Sequence, residues 1–207
     1  MCHSHVMDED QAKASTAVKG ELHRKLQIGR TAVLSKLEGL DDYDLRRPMT
    51  PTGTNLLGLV KHLAGVEYGY LGDSFDRPAP EPMSWIDDGS IWNGADMWAT
   101  PEESSEYLIG LYRRACAHGD QTIDRLDLDT VGSVAHWAPE RRSTTLGVLL
   151  VRMVAETAQH AGHADIIREL IDGKAGVDHD SFGGETEWGQ YVARIQAAAD
   201  AFRAPGP

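Results

Sequence analysis

Residues 143–172 read STTLGVLLVRMVAETAQHAGHADIIRELID, and the fold turns on how this stretch is read. Its apolar residues return every three or four positions, which predicts one long helix, and Asp172-Gly173 supplies a usual C-terminal stop. At 100° per residue, with Glu156 as origin, Leu149 falls at about +20°, Met153 at about +60°, His160 at about +40°, His163 at about −20°, Ile167 at about +20° and Leu170 at about −40°. Three ionisable groups thus stand on a line that is apolar before and after them. A solvated charge belongs on the opposite face. Burying a carboxylate and two imidazoles costs several kcal/mol unless they are paired or metal-bound. A carboxylate and a histidine at i and i+4 reach one cation from a single helix. The same spacing also lets Glu156 and His160 hydrogen-bond each other and a neighbouring helix, so this stretch alone leaves both readings open. His163 reads as a supporting donor or a weaker ligand.

A third group comes from upstream. Residues 55–71 predict a helix with the apolar face Leu59, Leu63, Val66 and Tyr70. His62 lies on that face, within about 60° of Leu59 and about 40° of Val66. A lone histidine there is usually a satisfied core residue. Beside Glu156 and His160 it supplies what that pair lacks, because three inward ligands plus water make a catalytic rather than a structural zinc-type site.

The remaining chain frames these two helices. Residues 1–10, MCHSHVMDED, read as a disordered leader whose Cys2, His3 and His5 invite adventitious copper or nickel. Residues 11–39 predict a helix with the stripe Leu22, Leu26, Val33, Leu37 and Leu40, and His23 at its boundary. Residues 72–100 lack helical periodicity and hold Trp85, Trp92 and Trp98, three of the five tryptophans. A connector this long and aromatic covers or binds something, or is simply packed onto the bundle by its tryptophans; Trp85 and Trp92 are the candidates for a pocket wall over the metal. A third helix is expected from about residue 101 to about residue 128, with Thr100 as N-cap and Glu102 and Glu103 in the first turn. Arg141 and Arg142 precede the long helix, and Arg141 is a candidate contact for an anionic substrate. A Gly- and Asp-rich segment containing an exposed His179 then leads to a short helix over residues 187–202.

A chain of 207 residues with a net charge of −12 carries no basic stripe, which argues against nucleic acid. No apolar run approaches the roughly 20 residues of a membrane span, and there is no apolar signal-peptide core, so a cytoplasmic protein is expected. Cys2 and Cys116 are too few for a disulfide framework or a cysteine-rich zinc site. Any metal must be held by histidine and carboxylate, a set that suits several first-row ions, zinc and nickel foremost.

The inward histidine of LLGLVKHLAGVE, together with ETAQHAGHADIIRELIDG, resembles the DinB-like (YfiT-like) superfamily over roughly residues 11–175. Those two segments resemble its actinobacterial branch, similar to mycothiol S-transferases and to the metal domain of mycothiol-dependent maleylpyruvate isomerase. The resemblance implies an all-α, up-up-down-down four-helix bundle, often dimeric, with the tryptophan-rich loop between helices 2 and 3 and residues 176–207 as an extension with a short helix. It implies a divalent metal held by His62, Glu156 and His160. Many relatives have histidine where this chain has Glu156, and glutamate there points to the thiol-using branch; His163 falls where many carry glutamine. Some 30 residues follow the bundle in this sequence, so maleylpyruvate isomerisation itself is not the expected activity.

The expected chemistry is a metal-dependent transfer. The cation activates a low-molecular-weight thiol, mycothiol, for attack on a small electrophile, while His163 shuttles the proton or orients Glu156. A hydrolase using bound water and a non-catalytic binding or stress protein are the alternatives.

Overall fold

Asn55 starts the helix that carries the candidate histidine: its side-chain oxygen accepts the Gly58 N–H at 2.8 Å, and the helix runs Leu56–Leu71. Leu56, Leu57, Leu59, Val60, Leu63, Ala64, Tyr68 and Leu71 are all buried, so this helix is covered on nearly every side and forms the centre of the molecule. The computed structural model describes residues 2–174 and 183–203, with side chains from residue 9 on. In chain order the α-helices are α1 (Cys2–Ser35), α2 (Asp42–Arg46), α3 (Leu56–Leu71), α4 (Ser84–Asp87), α5 (Ser105–Arg125), α6 (Leu146–Asp172) and α7 (Glu185–Asp200). Short 3-10 turns occupy Asp73–Phe75, Ser90–Asn93, Ala95–Met97 and Pro139–Arg141.

The long helices α1, α3, α5 and α6 make the bundle. Gly29 faces Thr157, Lys36 pairs with Asp165, and Arg168 donates to the carbonyls of Lys36 and Glu38, so α1 and α6 run parallel. Lys61 reaches Glu103 just ahead of α5 while Thr122 donates to the Leu71 carbonyl, so α3 and α5 also run parallel. His62 beside Glu156 and Tyr70 beside Arg152 set α3 antiparallel to α6. Read around the bundle as α1, α6, α3, α5, the helices are up-up-down-down; in chain order they are up-down-down-up.

Several boundaries differ from the sequence reading, each for a local reason. Residues 2–10, expected as a leader, continue α1, whose side chains from residue 9 to residue 18 are all exposed. The third long helix starts at Ser105 rather than near residue 101. Ser104 is its cap, accepting from Tyr107 N–H at 3.1 Å, and Glu103 folds back to accept from Thr100 N–H and Lys61 instead of entering the first turn. Ser143–Thr145, expected as the first residues of the long helix, form strand β2, antiparallel to β1 (Val131–Ser133) with Gly132 opposite Thr144. A Cβ on Gly132 would stand 2.6 Å from the Ser74 carbonyl oxygen, so only glycine lets this hairpin close on the preceding connector. Leu170, placed on the inward stripe by the ideal wheel, is 59% exposed, because the buried face at that level is carried by Ile167, Arg168 and Ile171 instead. His179 lies outside the described residues.

Candidate metal centre

On α6 the residues from Leu146 to Met153 pack in one apolar cluster and those from Ala161 to Ile167 in another. Glu156 and His160 sit between the two, and on α3 His62 occupies the same level. The change of character along residues 143–172 therefore marks a real junction in the core, open on one side. The side chains of His62, Glu156 and His160 are 20%, 26% and 11% exposed.

The three converge, each with one ligand atom, inside 4.8 Å of one another. His62 Nε2 lies 3.4 Å and His160 Nε2 3.2 Å from the same oxygen, Glu156 Oε1, and the two rings meet edge to face at 5.0 Å. Bonds of about 2.0–2.1 Å to a tetrahedral ion place neighbouring donors about 3.3 Å apart, so these separations are those of ligands sharing one cation. The far nitrogens support the same assignment. His62 Nδ1 is 2.7 Å from Asp96 Oδ2, and His160 Nδ1 is 3.3 Å from His163 Nδ1. Each imidazole thus has its Nδ1 engaged from behind and its Nε2 turned to the centre, as metal-ligating histidines do. The residues present fit a divalent ion.

Charge follows geometry. Burial disfavours the His62 imidazolium, but Asp96 and then Glu156 outweigh it and raise His62 above its ordinary pKa. Burial and the neighbouring His62 charge lower His160, keeping a lone pair available. Burial tends to raise Glu156, yet the two histidines leave it net lowered and ionised.

Asp96 escaped the sequence reading. It is 6% exposed and belongs to the 3-10 turn Ala95–Met97 in the tryptophan-rich connector. Asn55 Nδ2 donates to the Met97 carbonyl at 3.1 Å, and Lys61 donates to the Trp98 carbonyl at 3.1 Å. A Cβ on Gly58 would stand only 1.9 Å from the Met97 oxygen, so glycine is what lets the connector lie against α3. The signal was present as NLLGLVKH, whose Asn55, Gly58 and Lys61 hold the turn while His62 meets its carboxylate.

The other candidates separate. His163 is exposed and supports His160 rather than Glu156. Trp85 is buried on the flank of α3 under Lys61, whose ammonium lies 4.3 Å from its ring, and beside Gly65. Trp92 is 74% exposed and leans on His136 at 6.1 Å. Arg141 lies over the Trp137 ring at 5.5 Å.

A profile of the mycothiol S-transferases matches residues 21–173, a span holding the second half of α1, all of α3, α5 and α6, and the three converging ligands. The chain belongs to the mycothiol S-transferase family. A solved structure of a conserved protein from Enterococcus faecalis shares the fold at 16% identity, with a TM-score of 0.55, covering 75% of this chain and 97% of its own. No curated protein matches the chain. Among the described residues, no helix of this family member is long and apolar enough to cross a membrane.

Proposed function

We propose that the chain is a divalent-metal-dependent transferase that activates a low-molecular-weight thiol, mycothiol, for attack on a small electrophile. The observation that carries this reading is the convergence of His62 Nε2, Glu156 Oε1 and His160 Nε2 with Asp96 behind His62, in a member of the mycothiol S-transferase family. A zinc or nickel ion held there would bind the thiol sulfur and lower its pKa so that thiolate is present at neutral pH. Asp96 fixes the His62 ring and its tautomer. His163, exposed and in reach of His160, holds that ring from the other side and passes the thiol proton to solvent. The reaction forms one carbon–sulfur bond while the leaving group departs with its bonding pair. Trp92 and Arg141 belong to the wall that receives the electrophile, and Trp85 anchors the connector through Lys61. Cys116 is no alternative nucleophile: burial pushes its thiol far up, with Glu67 adding to the shift.

The test is the metal content of protein lacking residues 1–6, which removes Cys2, His3 and His5. Wild type should hold about one cation per chain after reconstitution and both His62→Ala and His160→Ala should lose it, as for a three-ligand site. The loaded wild type should then conjugate mycothiol to an activated haloarene, and omission of the thiol should abolish turnover. A wild type that stays metal-free removes the proposal, and turnover without thiol converts it to a hydrolase.

A further inference from the structure

One turn before Glu156 on α6, the side chain of Arg152 leaves the metal centre and lies over two rings, 4.9 Å from the centroid of Tyr70 and 5.5 Å from that of Trp137. Arg141 covers Trp137 as well, at 5.5 Å. Tyr70 O–H and His136 Nε2 are 3.3 Å apart, Trp137 Nε1–H donates to the Tyr70 hydroxyl at 3.4 Å, and Trp92 closes the group against His136. Tyr70 stands eight residues after His62 on α3, about 12 Å along the helix axis. The result is an aromatic ledge running away from the metal centre along the groove between α3 and α6.

Two features show what the ledge lacks. The chain carries a net charge of −12, yet among the described residues neither Arg141 nor Arg152 forms an ion pair. Glu156, four residues after Arg152 and at a spacing that ordinarily makes a helical ion pair, is turned to the histidines. A guanidinium stacked on rings has its face covered and its N–H edge free, the presentation that takes an oxyanion in bidentate fashion. A neutral sugar would ask for no uncompensated positive charge. His136 supplies none either, since partial burial and then the Arg152 charge lower its pKa.

We propose that Arg152 and Arg141, backed by Tyr70, Trp92, His136 and Trp137, bind an oxyanion on a flat electrophile whose reacting carbon lies at the metal centre. The inference rests on the transferase reading for the reaction and on the ledge alone for the binding. Substrates of this class are aromatic or conjugated acids bearing a carboxylate or sulfonate about 5 to 10 Å from the electrophilic carbon, a span set by the one helical turn between Arg152 and Glu156 and the roughly two between Tyr70 and His62.

The experiment uses the full chain and a matched pair of probes, 4-chloro-3-nitrobenzoate and its methyl ester, titrated against tryptophan fluorescence in wild type, Arg152→Met, Arg152→Lys and Arg141→Met. The benzoate should bind wild type about tenfold or more tightly than it binds Arg152→Met, as loss of a charged hydrogen-bonding partner implies. Arg152→Lys should fall between, and the ester should weaken by no more than about twofold in any of the three, so that the loss is specific to the acid. With mycothiol present, Arg152→Met should raise KM for the benzoate about five times or more than it raises KM for the ester. Equal binding of acid and ester, or benzoate affinity unchanged in Arg152→Met, overturns the inference. Competition with the benzoate by N-acetylglucosaminyl-inositol, the neutral sugar portion of the thiol with its amide kept, lost in Arg152→Met, also overturns it by giving the ledge to the thiol. Failure of every electrophile to react, with the benzoate still bound through Arg152, strikes the transferase reading and leaves the anion site standing.

Discussion

Two polar clusters are built on α3 from nearly the same residue types, five positions apart, and they differ in one thing. Around Glu67, Arg30 donates from Nε and Nη2 to the two carboxylate oxygens at 2.7 Å each and from Nη1 to Asp120 at 2.5 Å, and His23 meets Asp120 at 2.8 Å. Around His62, the partners are Glu156, His160, Asp96 and, through His160, His163. The first cluster contains its own cation, a guanidinium at the middle of two carboxylates, and Glu67 is wholly buried. The second contains acceptors turned to a common centre and, among the described residues, no lysine or arginine in their midst. A fixed internal cation makes a cluster structural; acceptors converging without one make a cluster that binds. Histidine, aspartate and glutamate by themselves do not tell the two apart.

The largest expected effect tests the structural half. Arg30→Met strands the Glu67 carboxylate, which burial already pushes upward against the pull of Arg30, and should cost about 3–5 kcal/mol in urea unfolding. Arg30→Met with Glu67→Leu should regain most of that loss, because an apolar pair needs no compensation. His62→Ala in metal-free protein should change stability by no more than about 1 kcal/mol, its ring being partly exposed. Equal costs for Arg30→Met and His62→Ala would erase the distinction.

The binding half is sharpened by adding zinc. At about a thousand times its dissociation constant, zinc should stabilise wild type by about 4 kcal/mol, and this increment should vanish in His160→Ala. Asp96→Asn should keep the fold and weaken zinc by about 10–100-fold, the usual penalty for a lost carboxylate behind a ligating histidine. A competition titration with a chromogenic chelator reads this directly, and an unchanged affinity would remove Asp96 from the centre.

A smaller effect comes from a third site filled by its own cation. Arg168 donates to the Lys36 and Glu38 carbonyls and to Asp172, and its guanidinium holds the Asp172 carboxyl below the usual carboxylate range. A lowered folded pKa gives stability that is complete above the unfolded value and is lost as pH falls through the folded one. Asp172→Asn should therefore remove no more than about 1 kcal/mol at neutral pH and flatten the acid limb below about pH 4, with no effect on zinc binding.

By itself, the sequence determined the four long helices, the stop at Gly173, and the inward placement of His62, Glu156 and His160. These follow from periodicity and backbone propensity, which act over a few residues and are written locally. The start of α5 was missed because Glu103 is claimed by Lys61, 42 positions earlier, over helix propensity. Strand β2 was missed because its pairing with β1 is non-local. His163 lay within 20° or so of the ideal inward stripe, but the buried face there is carried by His160, Ala161 and Ala164, so the ring emerges into solvent beside His160. Only the tertiary structure decided that Asp96, in a segment without periodicity, would stand behind His62, and that Arg152 would leave Glu156 for Tyr70 and Trp137. Each of those contacts joins elements distant in sequence, and which residues meet across such distances is fixed by how the helices pack.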